Sequence, residues 1–188
     1  MKNFIVICCV LAAVFGQIRS VAIEHPSCSS IQFDKVTVNI SEISGNYFGC
    51  VDSPNKPPES KDCIRLNLVP TSSNSWESRF FSVSKKAGNG ESLTADATIK
   101  DQEIELAYNS LYSTMPPITF TALDINSDYL IYLGCKDKIE NGWIAYFAKT
   151  LELCKKYRHK LDESIQKYNL TSISLVNVNH NNCGSYKV

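Results

Sequence analysis

The stretch Leu93-Thr94-Ala95-Asp96-Ala97-Thr98-Ile99-Lys100-Asp101-Gln102-Glu103-Ile104-Glu105-Leu106-Ala107-Tyr108 decides the fold class. Leu93, Ala95, Ala97 and Ile99 alternate with polar residues, Lys100-Asp101-Gln102 reverses the chain, and Ile104, Leu106 and Tyr108 alternate with Glu103 and Glu105. A period of two sends successive side chains to opposite faces of an extended backbone, so each half has one apolar and one wet face. The stretch is a half-buried antiparallel hairpin, with Asp96, Glu103 and Glu105 on its solvent side.

The same period continues in both directions. Upstream, Ile64, Leu66 and Leu68 alternate with Arg65 and Asn67 until the cluster Thr71-Ser72-Ser73-Asn74-Ser75, and Phe80 to Val83 forms a further strand with imperfect alternation. Lys86-Ala87-Gly88-Asn89-Gly90 turns the chain into the hairpin. Downstream, Pro116-Pro117 marks a strand start, Ile118, Phe120 and Ala122 alternate with Thr119 and Thr121, and Asp124-Ile125-Asn126-Ser127 turns again. Tyr129 to Cys135 and Trp143 to Ala148 are apolar on both faces, so something must cover their outer side. From Leu151 the period changes: Cys154, Tyr157, Leu161, Ile165 and Tyr168 are spaced 3, 4, 4 and 3, the stripe of one amphipathic helix. Lys155, Lys156, Arg158, Lys160 and Lys167 point elsewhere and are interrupted by Asp162 and Glu163, which reads as a solvated exterior rather than a docking face. The expected fold is all-β, an eight-stranded up-and-down antiparallel barrel with a C-terminal α-helix packed outside. Closure removes exposed strand edges, and a barrel of this size holds one small ligand.

Met1, Lys2 and Asn3 precede an almost unbroken apolar run from Phe4 to Phe15, and polarity returns at Gln17 and Arg19. This is the pattern of a signal peptide over residues 1–22, with cleavage after Gly16 or Ala22 and a single secreted domain over 23–188. The run is shorter than the roughly 20 residues a membrane helix needs, so no integral membrane contact is expected. Lys plus Arg (19) balance Asp plus Glu (19) without a basic cluster, which excludes the electrostatic footprint of a nucleic-acid partner. Of eight cysteines, Cys8 and Cys9 leave with the signal peptide; Cys28, Cys50, Cys63, Cys135, Cys154 and Cys183 remain and read as three disulfides whose pairing the composition leaves open. Their spacing has neither a C-x-x-C pair nor neighbouring histidines, so no metal site is expected. Asn39-Ile40-Ser41 and Asn169-Leu170-Thr171 are glycosylation sequons.

Three short motifs carry a family likeness. Gly45-Asn46-Tyr47 resembles the lipocalin opening motif, with tyrosine for tryptophan; Asn126-Ser127-Asp128-Tyr129 resembles the second motif, with serine for threonine; and Phe147-Ala148-Lys149-Thr150 places Lys149 where the third motif has arginine. In their order, with the helix and tail following, they resemble the lipocalin family, most of all the arthropod bilin-binding and insecticyanin group and its relative apolipoprotein D. That resemblance implies bonds Cys28–Cys135 and Cys63–Cys183, and a cation-on-ring contact of Lys149 with Tyr47. Cys50 and Cys154 are extra to the pattern. If Tyr47, Gly49 and Val51 face the interior, Cys50 points outward, while Cys154 lies on the apolar stripe of the helix. A third bond between them is expected; the alternative is two buried thiols acting as small hydrophobes.

Counting outward from Cys135 places Leu130, Tyr132 and Gly134 inside, with Ile64, Leu66, Leu68, Leu93, Ala95, Ala97, Ile104, Leu106, Tyr108, Ile118, Phe120, Trp143, Ala145 and Phe147. The residues expected to contact a ligand are Tyr47, Leu66, Leu68, Ala95, Leu106, Tyr108, Phe120, Leu130, Tyr132, Trp143 and Phe147, with Tyr108, Tyr132 and Trp143 as hydrogen-bond donors. Ala95, Ala97, Ala145 and Gly134 argue for empty volume against a solidly packed interior. The implied function is a secreted carrier that binds or sequesters a small hydrophobic ligand: a pigment such as a bilin, a fatty acid, a sterol or an odorant. No cofactor is required, though a bound bilin or other lipophilic chromophore is compatible. The alternative is a salivary, triabin-like lipocalin that inhibits a host protein through its open-end loops, although the loop from Asp52 to Lys61 lacks aromatic or arginine anchors. Amine carriage is disfavoured because Asp96, Glu103 and Glu105 fall outside. Haem ligation is disfavoured because His25, His159 and His180 lie away from the strands. No acid or histidine is expected inside to serve as a catalytic base, so an enzyme is not expected.

Overall fold

The computed structural model describes residues 27–54, 61–84, 89–109, 116–181 and 183. The opening apolar run, both cleavage points and His25 lie outside them. Eight strands follow one another, each antiparallel to the next: β1 (Gly45–Asp52), β2 (Lys61–Pro70), β3 (Ser75–Ser84), β4 (Gly90–Lys100), β5 (Glu103–Tyr108), β6 (Ile118–Ile125), β7 (Tyr129–Gly134) and β8 (Trp143–Ala148). β1 bonds to β2 on one side and to β8 on the other, which closes the sheet into a barrel. The central hairpin forms as expected, and its register sets Ile99 opposite Ile104 and Ala97 opposite Leu106 on the inner face.

Two apolar layers result. Inside, Leu66, Leu68, Trp76, Ala97, Ile104 and Phe147 pack together, and Ile40 and Ile43 from the segment before β1 close the bottom. Outside, Ile131, Leu133, Ile144 and Tyr146 of β7 and β8 are covered by Leu161, Tyr168, Leu170 and Ile173. This explains why both strands read as apolar on both faces.

The covering helix is expected as one piece and is found as two, α1 (Leu151–Lys156) and α2 (Arg158–Lys167), with Tyr157 between them at φ −101° and ψ 13°. The Thr150 hydroxyl caps α1 by accepting from the Leu153 N–H at 3.2 Å. Tyr146 donates from its hydroxyl to the Leu153 and Cys154 carbonyls, both at 3.1 Å, and Tyr157 donates to Asp128 at 3.0 Å in the β6–β7 turn. The break thus falls where two different parts of the barrel hold the helix. Asn169, with φ 52°, ends α2 in the left-handed conformation that asparagine tolerates.

Three disulfides bind the periphery to the barrel: Cys28–Cys135, Cys50–Cys154 and Cys63–Cys183, with Cα atoms 5.8, 5.5 and 5.4 Å apart. Cys63 lies at φ 57° within a register shift of β2, and its N–H donates to the Asn179 carbonyl at 2.9 Å. β3 begins at Ser75 instead of near Phe80. Its alternation looked imperfect because on its outer face Phe81 is also buried and Val83 half-buried, against Cys63 and Cys183.

The expectation for Val51 is overturned. Gly49 pairs with Phe147 and Val51 with Tyr146, so two residues of β1 oppose one step of β8, a β-bulge at Cys50. The extra residue inverts the parity beyond it, so Cys50 and Val51 both pack outside under the helix and Asp52 turns inward. The chain then returns through a short β9 (Val176–Asn177), paired with β1 at Val51 and Asp52, which the sequence pattern did not reveal. Beyond it, His180 donates from Nε2 to the Gly49 carbonyl at 2.7 Å and accepts at Nδ1 from Arg65 at 2.9 Å. Only a neutral imidazole can do both.

Two outcomes follow from these ties. Replacing Cys50 and Cys154 together by alanine should lower unfolding stability by about 2–4 kcal/mol while leaving the barrel folded, as read by denaturant titration. Burial, aided by the adjacent Arg65 guanidinium, holds His180 below its ordinary value of 6.5, against the opposing pull of the Gly49 carbonyl and Asp62. A depressed pKa means that the unfolded chain takes up the proton first, so this contribution is whole above about pH 6.5 and is lost as pH falls towards the lower folded value. Protection of the Val178 N–H, bonded to the Cys50 carbonyl at 3.1 Å, should fall over that window in the wild type, read as the exchange rate divided by the intrinsic rate at each pH. In His180→Gln that ratio should stay level across the same window.

Candidate functional site

The barrel holds a cavity of about 130 Å³. Its walls come from every strand because every strand turns alternate residues inward. Ile64, Leu66 and Leu68 stand on β2, Ile104, Leu106 and Tyr108 on β5, and Trp143, Ala145 and Phe147 on β8.

Eight of the expected contact residues line the cavity: Leu66, Leu68, Leu106, Tyr108, Phe120, Tyr132, Trp143 and Phe147. Tyr47, Ala95 and Leu130 face inward but do not reach it. Tyr47 is fully buried in the plug below, donating to the Ile43 carbonyl at 2.7 Å, with the Lys149 ammonium 5.7 Å from its ring centroid. Ala95 lies between Ser78 and Tyr108 on the flanking strands, and Leu130 between Ile125 and Phe147; both are fully covered by larger neighbours. Parity assigns the face of a side chain, but depth along the barrel depends on what stands next to it.

Gly134 also departs from expectation. It does not leave room for a ligand, because the Trp143 indole occupies the place where a β-carbon would sit. The indole in turn meets Phe120 edge to face, with ring centroids 4.8 Å apart.

The sequence reading missed two polar features. Trp76 and Ser78 line the cavity from β3, and the indole Nε1 donates to the Ser78 hydroxyl at 2.9 Å. The signal was present, since Trp76, Ser78 and Phe80 keep a period of two. Asp52 is the second, a carboxylate at the rim of a cavity expected to contain none. It points inward only because of the bulge, which left no trace in the alternation. Lys61 shares the rim, 2.6 Å from Glu91. Asp96, Glu103 and Glu105 are exposed, so the bulge corrects the grounds on which an interior acid was excluded without moving those three.

Burial raises the Tyr108 and Tyr132 phenols above their ordinary value, so both stay protonated near neutrality and can donate. His159 lies exposed on α2, and His180 is engaged outside the barrel. Among the described residues no group of histidine, cysteine, aspartate and glutamate could hold a metal ion, and no helix is long and apolar enough to cross a membrane. Asn39 and Asn169 are both exposed.

No family model and no curated protein matches this chain. Solved structures do. The major allergen Per a 4 from cockroaches is 15% identical with a TM-score of 0.64, over 84% of this chain and 98% of that one. Insecticyanin from the tobacco hornworm Manduca sexta is 11% identical with a TM-score of 0.63, over 80% of this chain and 86% of that one. Japanin from Rhipicephalus appendiculatus bound to cholesterol is 8% identical with a TM-score of 0.56, over 78% of this chain and 99% of that one. The closed eight-stranded barrel with its external helix is the lipocalin fold, and this chain has it.

The packing of Trp143 on Gly134 can be checked directly. Gly134→Ala should displace the indole and destabilise the protein by about 1–3 kcal/mol, the usual range for an overfilled interior. In a Trp76→Phe background Trp143 is the one remaining tryptophan of the two. Its emission should then shift on introducing the methyl group.

Proposed function

We propose that this chain is a secreted lipocalin of the arthropod bilin-binding group that carries or sequesters one small hydrophobic ligand in its barrel. The observation that carries the reading is the cavity itself: walls of leucine, isoleucine and aromatic side chains around open space inside the barrel. A preformed site spares the ligand the ordering of its own binding walls, and the three disulfides favour such a rigid scaffold. Cholesterol in the related fold of japanin is consistent with an apolar occupant, whether sterol, fatty acid, odorant or bilin pigment. The six paired cysteines and the two exposed sequons fit export, with Asn39 and Asn169 as glycan acceptors. The role proposed is binding, not catalysis.

Protein recovered from a secreting insect-cell culture should release a bound apolar molecule in mass spectrometry, and a bilin would show in its visible absorption. Emptied protein should show saturable one-to-one quenching of Trp76 and Trp143 emission by at least one of cholesterol, a fatty acid or biliverdin. A flat response to all of them, with no co-purified molecule, would refute the reading.

A further inference from the structure

Resting on that carrier reading, we infer that the cavity takes its ligand polar end first and that this end is an uncharged oxygen, a hydroxyl or carbonyl, held at the floor by Tyr132 and Ser78.

The two ends of the cavity differ in chemistry. Asp52 ends β1 and Lys61 begins β2, so both charged lining residues stand at the mouth. Trp76 pairs with Pro70 next to the β2–β3 turn, and Ser78 pairs with Leu68, which pairs with Gly45 at the start of β1. Trp76 and Ser78 therefore stand at the opposite, closed end, above the Tyr47 plug. β3 and β7 are four strands apart around a barrel of eight, so Ser78 and Tyr132 face each other across the lumen. Tyr132 pairs with Ala122 on one side and Ala145 on the other.

Each floor hydroxyl has a hydrogen to give. The side chain of Ser78 accepts from Trp76, which leaves its own O–H to donate. Tyr132 is 8% exposed, lines the cavity, and has no hydrogen-bond partner for its hydroxyl among the described residues. That hydroxyl is not sealed in the wall: it reaches the open space of the cavity, where its O–H can donate. A ligand oxygen would supply that partner. Two donors and no side-chain cation at the floor suit a carbonyl or alcohol oxygen. A carboxylate there would lose its hydration with only neutral donors in exchange, and an ammonium would meet no anion. The apolar body of the ligand would then lie along Leu66, Leu106 and Phe147, with its far end beneath the mouth.

The experiment compares twelve-carbon probes, 1-dodecanol and 2-dodecanone, with 2-methylnaphthalene, a fluorescent hydrocarbon with no polar atom. Binding is measured to the wild type, Tyr132→Phe and Ser78→Ala. The expected result is a three- to tenfold loss of affinity for the alcohol and the ketone in each variant, about one hydrogen bond each, with the hydrocarbon unchanged. Retained hydrocarbon binding also certifies that the variants are folded. Equal affinity of wild type and both variants for the oxygenated probes, with the hydrocarbon still bound, would overturn the inference and leave the carrier reading standing. Failure of the wild type to bind any of the three would instead refute the carrier reading. A measurement that needs no variant decides the orientation: in the wild type, the protons next to the carbonyl of 2-dodecanone should show nuclear Overhauser contacts to the Trp76 indole N–H. Contacts from the chain's far methyl group in their place would overturn the inference.

Discussion

The backbone hydrogen bonds that β1 makes to β8 on one side and to β2 on the other are the constraint on which the rest of the molecule depends. They turn an open antiparallel sheet into a closed one, and only a closed sheet can have an inside. β1 also carries the devices that finish the barrel. Tyr47 plugs the bottom, Cys50 ties the helix to the wall, the bulge beside it turns Asp52 to the mouth, and the outer end of the strand accepts the returning tail as β9. Losing β1 would expose two strand edges and both apolar layers at once.

The interior is a balance between filled and empty space. Small residues do not by themselves make a cavity: Gly134 is filled by the Trp143 ring, and Gly49 sits so close to Ile64 that an added β-carbon would lie 2.8 Å from the Ile64 Cβ. The open volume lies higher in the barrel, where side chains from opposite walls do not meet. Below it Tyr47, Ile40 and Ile43 pack solidly. The molecule is thus a dense base beneath a cavity, and the disulfides fix peripheral segments to the outside of the wall around it.

Polar groups inside this apolar space are few, and each has a positional reason. The indole of Trp76 is satisfied by Ser78 two residues along the same strand, on the same face. Asp52 and Lys61 stay at the mouth, at the end of the cavity opposite Trp76 and Ser78. A neutral, hydroxyl-bearing floor beneath a charged mouth gives the cavity a direction, which a uniformly greasy pocket would lack.

Much of this was legible in the chain. Two of the disulfide pairings were implied by the family resemblance; alternation in Leu93 to Tyr108 identified the hairpin, and the switch to helical spacing at Cys154 identified the cover. These features are local, because a period of two or of 3.6 is imposed by the geometry of each element before any contact forms. What escaped was whatever depends on a neighbour distant in sequence. The bulge at Cys50 depends on the register against β8, the depth of Tyr47, Ala95 and Leu130 depends on adjacent side chains, and the second apolar face of β3 depends on a tail that arrives 100 residues later. The sequence by itself determined which face a residue takes where its strand or helix runs without interruption, which leaves out Val51 and Asp52 beyond the bulge. The tertiary structure alone decided where that face lies along the barrel and what meets it there, because hydrogen-bond register between strands is a property of pairs.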